Sequence, residues 1–259
     1  MNKIIHSKKP LSKIEIRCFH DMEKQLSNIL SEQIVGLDEV QVCCYLLGTT
    51  YCSLCLDYCR NYSKLITDSK LLTISQINKA FEELMDKALD IGLGFATVNG
   101  YDLLGSGRVQ AKARLESINT LSYFPKVILA DYYKVGIPVE LQIVLPRGDE
   151  RFLCTSGASI IAKYVSNKIC EEVHKDYPQY KLNSNHGGFV KGTEKLIIEH
   201  GFIKGMARKS WCSRFIDKCK IIDVDFDEIS YVHKVLNELG NRYKLFSKFK
   251  NNLVDSITL

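Results

Sequence analysis

Four carboxylates stand where strands should deliver them together. Asp38 and Glu39 close the apolar run IVGLDEV, Asp131 closes KVILAD, and Asp149 follows Gly148 after the apolar run ELQIVLP. Carboxylates gathered at neighbouring strand ends suit hard cations such as Mg²⁺, which prefers oxygen ligands. Two such ions about 3.5–4 Å apart activate a water and stabilise the leaving oxygen in phosphodiester hydrolysis. Acidic residues also flank strands in many α/β proteins, so spacing alone leaves a metal site and a solvated strand edge both open. There is a geometric tension as well, because neighbours on a regular strand point to opposite faces. Asp38 and Glu39 share a site only if the strand ends or bends there, and Gly36 is the residue that would permit the bend.

The elements that must position these side chains follow from periodicity. IVGLDEV and the apolar series through Leu56 read as two strands, and Ile91–Val98 and Lys126–Asp131 as further buried strands. Thr73–Leu89 carries Ile77, Phe81, Leu84 and Ala88 on one face, with Thr73 as N-cap and Gln76 three residues on, which predicts a helix. Ser106–Leu121 and Ser156–His174 read as helices too. The result is an α/β fold. The reading divides the chain into an N-terminal helical extension over 1–32, a catalytic domain over 33–212 and a C-terminal helical extension over 213–259. The last is a helix around Glu228–Phe249 with a basic end.

With 46% hydrophobic residues in 259, the chain has ample material for a buried core. Its 35 basic and 30 acidic residues leave a formal charge of +5, compatible with a polyanionic partner without demanding one. No run approaches the roughly 18 consecutive apolar residues of a membrane helix, so no membrane partner is expected. The stretch MNKIIHSKKPLSKIEIRCFH lacks the apolar run of a signal peptide, so the ten cysteines read as reduced and the location as cytoplasmic. Cys52 and Cys55 have zinc-ligand spacing, but no second pair follows at finger-like distance, which favours small buried residues in a strand.

Several further motifs occur in order. ITDSKLLT (66–73), GASIIAKY (157–164), YPQY (177–180), HGGF (186–189) and RKSW (208–211) accompany IVGLDEV, ILAD and RGD. Together they resemble the ribonuclease HII, or type 2 ribonuclease H, family over about 33–211. The resemblance implies a ribonuclease-H-like mixed β-sheet flanked by helices. It also implies an endonuclease that needs Mg²⁺ or Mn²⁺ and cuts the RNA strand of RNA/DNA hybrids or ribonucleotide-containing duplexes; a monomer is expected. It carries the catalytic and metal-binding roles to Asp38, Glu39, Asp131 and Asp149, and substrate-binding roles to Ser69, Lys70, Lys163, His186 and Phe189. For Lys70 and Lys163 the alternative is an ordinary solvated lysine, and for His186 a structural histidine at a turn.

The sequence also departs from that family's pattern. Gln41-Val42-Cys43 stands where the family has Gly-Arg-Gly, a loop that approaches the ribose 2′-hydroxyl at the RNA-to-DNA junction. A differently shaped loop is therefore expected, with junction specificity altered. Phe189 replaces a tyrosine, Tyr132 replaces the glycine after the third carboxylate, and Ser166-Asn167 replaces Arg-Asp. Three activities fit: an active hybrid nuclease, a nuclease that prefers long hybrids over single ribonucleotides, and a degenerate homologue that binds without cutting.

Overall fold

The computed structural model describes residues 13–30 and 33–250. The expected extensions thus fall partly outside the described residues, at 1–12, 31–32 and 251–259. Five strands, β1 (Ile34–Val40), β2 (Thr49–Leu56), β3 (Ala88–Ala96), β4 (Val127–Asp131) and β5 (Leu141–Leu145), form one mixed sheet in the order β3-β2-β1-β4-β5. The helices are α1 (Lys13–Leu30), α2 (Ile74–Lys87), α3 (Val98–Leu104), α4 (Ser106–Asn119), α5 (Gly148–Arg151), α6 (Leu153–Asp176), α7 (Leu182–Asn185), α8 (Lys191–His200), α9 (Lys209–Cys212) and α10 (Glu228–Arg242). Contacts divide the chain into two compact units, one of residues 1–39, 51–94 and 114–164, the other of 40–50, 95–113 and 165–259.

In the first unit, β1, β4 and β5 run parallel, with Leu37 opposite Ala130 and Asp131 opposite Leu145. Parallel pairing brings the C-terminal ends of these strands to the same edge of the sheet, and Asp38, Glu39 and Asp131 lie there. β1 and β4 are apolar on both faces up to their acidic ends, as buried parallel strands must be, whereas β5 at the edge is half-buried. Val35, Leu37, Ile128 and Ala130 pack with Ile118, Leu121 and Val135 into one core cluster. Helix α2 begins as expected, because Thr73 and Gln76 form a reciprocal capping box.

Strand β1 runs through its acidic pair and ends one residue later, at Val40. Gly36 has another task. A Cβ there would lie 2.2 Å from Cys154 C, so the missing side chain lets the start of α6 lie directly against β1. That helix start is capped from α1, where fully buried Glu23 accepts from Leu153 N at 2.6 Å and Cys154 N at 2.8 Å. A carboxylate at a helix N-terminus satisfies orphan donors and meets the positive end of the dipole. The Tyr58 hydroxyl donates to the same carboxylate.

In the second unit the buried Arg208 donates to the carbonyls of Leu47, Val42 and Gln41 at 2.7–2.8 Å and stacks over Tyr101 at 4.1 Å. One guanidinium thereby fixes the segment after β1. Glu228 at the start of α10 accepts from Gly48 N at 2.5 Å and from Val98 N, the first residue of α3, at 2.9 Å. The helix expected through Phe249 stops at Arg242, since Tyr243 is extended (φ −127, ψ 126) and Lys244–Phe249 form a tight turn that buries Phe246 and Phe249.

Glu23→Ala should leave the first amides of α6 unpaired in a buried place, at a cost of about 2 kcal/mol. In a protein of this size that lowers the melting temperature by about 4–8 °C. A thermal melt followed by circular dichroism checks this; a midpoint unchanged to within a degree would mean that α1 does not support α6.

Candidate active site

All four expected carboxylates lie in the first unit and act on one another electrostatically. Asp38 is buried, and its carboxyl is pushed well above the ordinary range by burial first and then by repulsion from Glu39, Asp149 and Asp131. A hydrogen bond with Ser159 on α6 works the other way. Burial likewise raises Glu39, to about 7, with Arg114 of α4 opposing and Asp131 adding to the rise. Strand alternation is thus kept: Asp38 meets α6 and Glu39 meets α4, while both remain within the field of the other two acids.

Asp131 also sits above the usual value through burial, with the Gly148 amide opposing. Its Oδ1 accepts from Gly148 N at 2.8 Å. Gly148 is required by space, because a Cβ there would lie 2.9 Å from Ala130 O. Asp149 follows on the short helix α5 and is almost fully buried. Burial lifts its carboxyl to about 6 against the pull of Lys70. Lys70 Nζ donates to Asp149 Oδ2 at 3.0 Å and lies 3.8 Å from Asp68 Oδ1. Burial would lower the Lys70 pKa, but these acids raise it.

Ser69 is buried, with its hydroxyl 2.9 Å from that of Ser159, so it supports the residue that bonds Asp38. Lys163 is half-buried on α6, one turn beyond Ser159 and on the same helix face. His186 and Phe189 belong to the second unit. The His186 carbonyl accepts from Gln41 Nε2 at 2.9 Å. The Phe189 ring lies 4.5 Å from Tyr45 and 5.1 Å from Trp211, and its amide donates to Cys43 O at 3.2 Å.

The expectation that the 41–43 loop loses its glycine-like backbone is not met at its first position. Gln41 adopts φ 70, in the left-handed region that glycine enters freely. Its side-chain amide is tied down by Cys170 Sγ at 3.2 Å as well as by the His186 carbonyl, and Arg208 holds its own carbonyl. Cys52 and Cys55 are both buried in β2, and no described cysteine is in a disulfide.

Sequence reasoning missed Arg114, Asp68 and Ser159. Asp68 and Ser159 sit inside the DSK and ASIIAK motifs, but Arg114 carries no motif signal. Only packing of α4 reveals it as the cation opposing the rise at Glu39. Among the described residues, no three His, Cys, Asp or Glu side chains form a ready-made metal cage. The donor set nevertheless fits a hard cation, being all oxygen, buried and mutually repelling, with Lys70 already drawn to it.

A mixed sheet flanked by helices, with acidic side chains gathered at the ends of its parallel strands, defines a ribonuclease-H-like protein. The chain belongs to the ribonuclease HII family, whose model matches residues 35–214. By family it is a nuclease and hydrolase of the ribonuclease H class. A ribonuclease HII of Aquifex aeolicus is 33% identical over 144 residues, which is 56% of this chain and 72% of that relative. One of Bacillus cytotoxicus is 28% identical over 139 residues, 54% of this chain but only 53% of the relative. The chain thus spans about half the length of that Bacillus protein. The crystal structure of the ribonuclease H2 from Pyrococcus horikoshii OT3 superposes with a TM-score of 0.60 at 19% identity, covering 71% of this chain and 97% of that one. Bst ribonuclease HIII in complex with Mn²⁺ gives 0.53 at 14% identity, covering 81% of this chain and 72% of its own. Both share the fold. Among the described residues no helix is long and apolar enough to cross a membrane.

The raised carboxyls have a consequence for stability. A carboxyl whose folded pKa lies above the unfolded value near 4 binds a proton that the unfolded chain has released, so stability falls as pH rises through that window. Asp38→Asn should therefore melt about 2–4 °C above the parent at pH 8 in EDTA, the shift that ~1 kcal/mol of relieved repulsion produces. The gap should close towards pH 4. A variant that melts below the parent at both pH values would contradict the crowding of charge at Asp38.

Proposed function

We propose that this chain hydrolyses the RNA strand of RNA/DNA hybrids, with Asp38, Glu39, Asp131 and Asp149 as catalytic residues holding two Mg²⁺ or Mn²⁺ ions. The observation that supports it is the meeting of four acids with raised pKa values at one sheet edge, in a chain of the ribonuclease HII family. The ions supply an activated water and charge stabilisation for the leaving oxygen. The chain's own residues prepare the site for them. Ser159 restrains Asp38, the Gly148 amide restrains Asp131, and Lys70 partly neutralises Asp149. Lys70 and Lys163 are the cations that hold phosphate oxygens as point charges. On the family resemblance, Ser69, His186 and Phe189 are further substrate-binding residues, with the Phe189 ring packing on a sugar. Cleavage leaves a 3′-hydroxyl and a 5′-phosphate. Catalysis is assigned to residues 33–212, with α1 and α10 supporting its parts.

Asp131→Asn should reduce hybrid cleavage by at least about a hundredfold while preserving fold and hybrid binding in EDTA, because the amide Oδ1 still accepts from Gly148 N. Cleavage at the parent's rate would remove Asp131 from the metal site. A parent that binds labelled hybrid but cuts it in neither Mg²⁺ nor Mn²⁺ would instead support a binding homologue.

Junction reading is the finer question. Gln41 adopts a left-handed backbone, but Val42 and Cys43 stand where the family motif has arginine and glycine. A lost hydrogen bond to a 2′-hydroxyl is worth roughly 0.5–1.5 kcal/mol, or about three- to tenfold in rate per contact. Duplexes with one embedded ribonucleotide should therefore be cut several-fold more slowly than continuous hybrids. Replacing 41–43 by Gly-Arg-Gly should narrow the difference; equal parent rates on both substrates would show that the junction is read elsewhere.

A further inference from the structure

The chain turns sharply after the third carboxylate. Tyr133 N donates to Asp131 O at 2.7 Å across Tyr132, whose backbone sits at φ 59. A three-residue turn about a centre of positive φ is rare and strained for any residue with a Cβ. Glycine would occupy this place freely, yet tyrosine stands there 55% exposed beside Tyr133 at 43%. The two rings meet edge to face at 4.9 Å and 66°, and the next residue, Lys134, is exposed. Beneath them Arg114, only 8% exposed, sets its guanidinium 4.8 Å from the Tyr133 ring centroid and 5.9 Å from that of Tyr51. Its Nε and Nη1 have no hydrogen-bond partner, and it lies against these rings while its charge opposes the rise at Glu39. Strained backbone that presents exposed rings beside reacting groups persists where function selects it.

We infer that Tyr132, Tyr133 and Lys134 form a nucleic-acid contact surface that grips the sugar–phosphate backbone of the hybrid beside the phosphate to be cut, with Arg114 as its internal buttress. The inference rests on the hybrid-cleaving reading above, which supplies the occupant. Continuity with the site argues for that occupant, since Asp131 is the adjacent residue. The chemistry fits as well: phenolic hydroxyls and an ammonium bond phosphate and sugar oxygens, and ring faces pack on riboses, without regard to sequence. Tyr132→Gly keeps the turn and relieves its backbone, so it separates a contact from a folding role.

The test compares the parent with Tyr132→Gly, Tyr133→Ala, Lys134→Ala and the Tyr132→Gly/Tyr133→Ala double variant. The readouts are kcat and KM on a labelled hybrid, Kd for the hybrid in EDTA at several salt concentrations, and thermal midpoint. The double variant should raise KM and Kd about tenfold with kcat within about twofold, as loss of uniform binding requires. Tyr132→Gly should weaken binding without lowering the midpoint, and Lys134→Ala should flatten the salt dependence of binding. Unchanged KM and Kd in the double variant would overturn the inference, as would a fall in kcat with KM unchanged, which would place the pair's effect on Asp131. If the parent binds hybrid without cutting it, the cleavage reading fails while Kd still judges this surface. A parent that binds no hybrid overturns both.

Discussion

Crowding negative charge at one edge of a sheet is the constraint on which this structure turns. Parallel pairing of β1, β4 and β5 carries three acids to the same edge, and α5 adds the fourth. Burial raises all four carboxyls and repulsion from neighbouring acids adds to it, so the arrangement opposes folding unless cations answer it. Two side chains answer in part, Lys70 against Asp149 and Arg114 against Glu39. A site that is unfavourable for the bare protein and favourable for a hard cation is what metal-dependent phosphodiester chemistry calls for.

The surrounding backbone accepts strain to serve that edge. Gln41, just after β1, and Tyr132, just after β4, both take positive φ although neither is glycine. Each is over-determined by its neighbours. Gln41 is held by the His186 carbonyl and Arg208, and Tyr132 by the hydrogen bond that closes its turn. The family motifs that the sequence resembles have glycine at both positions, where this chain carries a side chain on a positive-φ backbone. What the substitutions alter is the chemistry that each turn presents.

Two glutamates show how the flanking helices contribute. Glu23 from α1 caps the helix that bears Ser159 and Lys163, and Glu228 from α10 takes the amides of Gly48 and Val98. Burial lifts Glu228 to about 7, with the two amide hydrogen bonds opposing. Each acid satisfies backbone donors that its own unit leaves unpaired, so these helices support the units they join instead of trailing from them.

The strands, the main helices and the four acids were legible in the sequence because they rest on local signals: apolar runs, a capping box, and acids at strand ends in family motifs. The close packing at Gly36 is not legible, since sequence shows that a glycine is present but not that a helix start lies against it. The Gln41 loop was expected to change shape, because φ preference is local whereas the contacts that hold it come from Cys170, His186 and Arg208, 129 to 167 residues away. Arg114 is invisible for the same reason, as a lone arginine on a helix shows which acid its charge acts on only once the chain is packed. The sequence by itself determined which residue types reach the sheet edge. Tertiary structure decided the direction in which their pKa values move and the partners they meet, because burial and distance are properties of the packed chain.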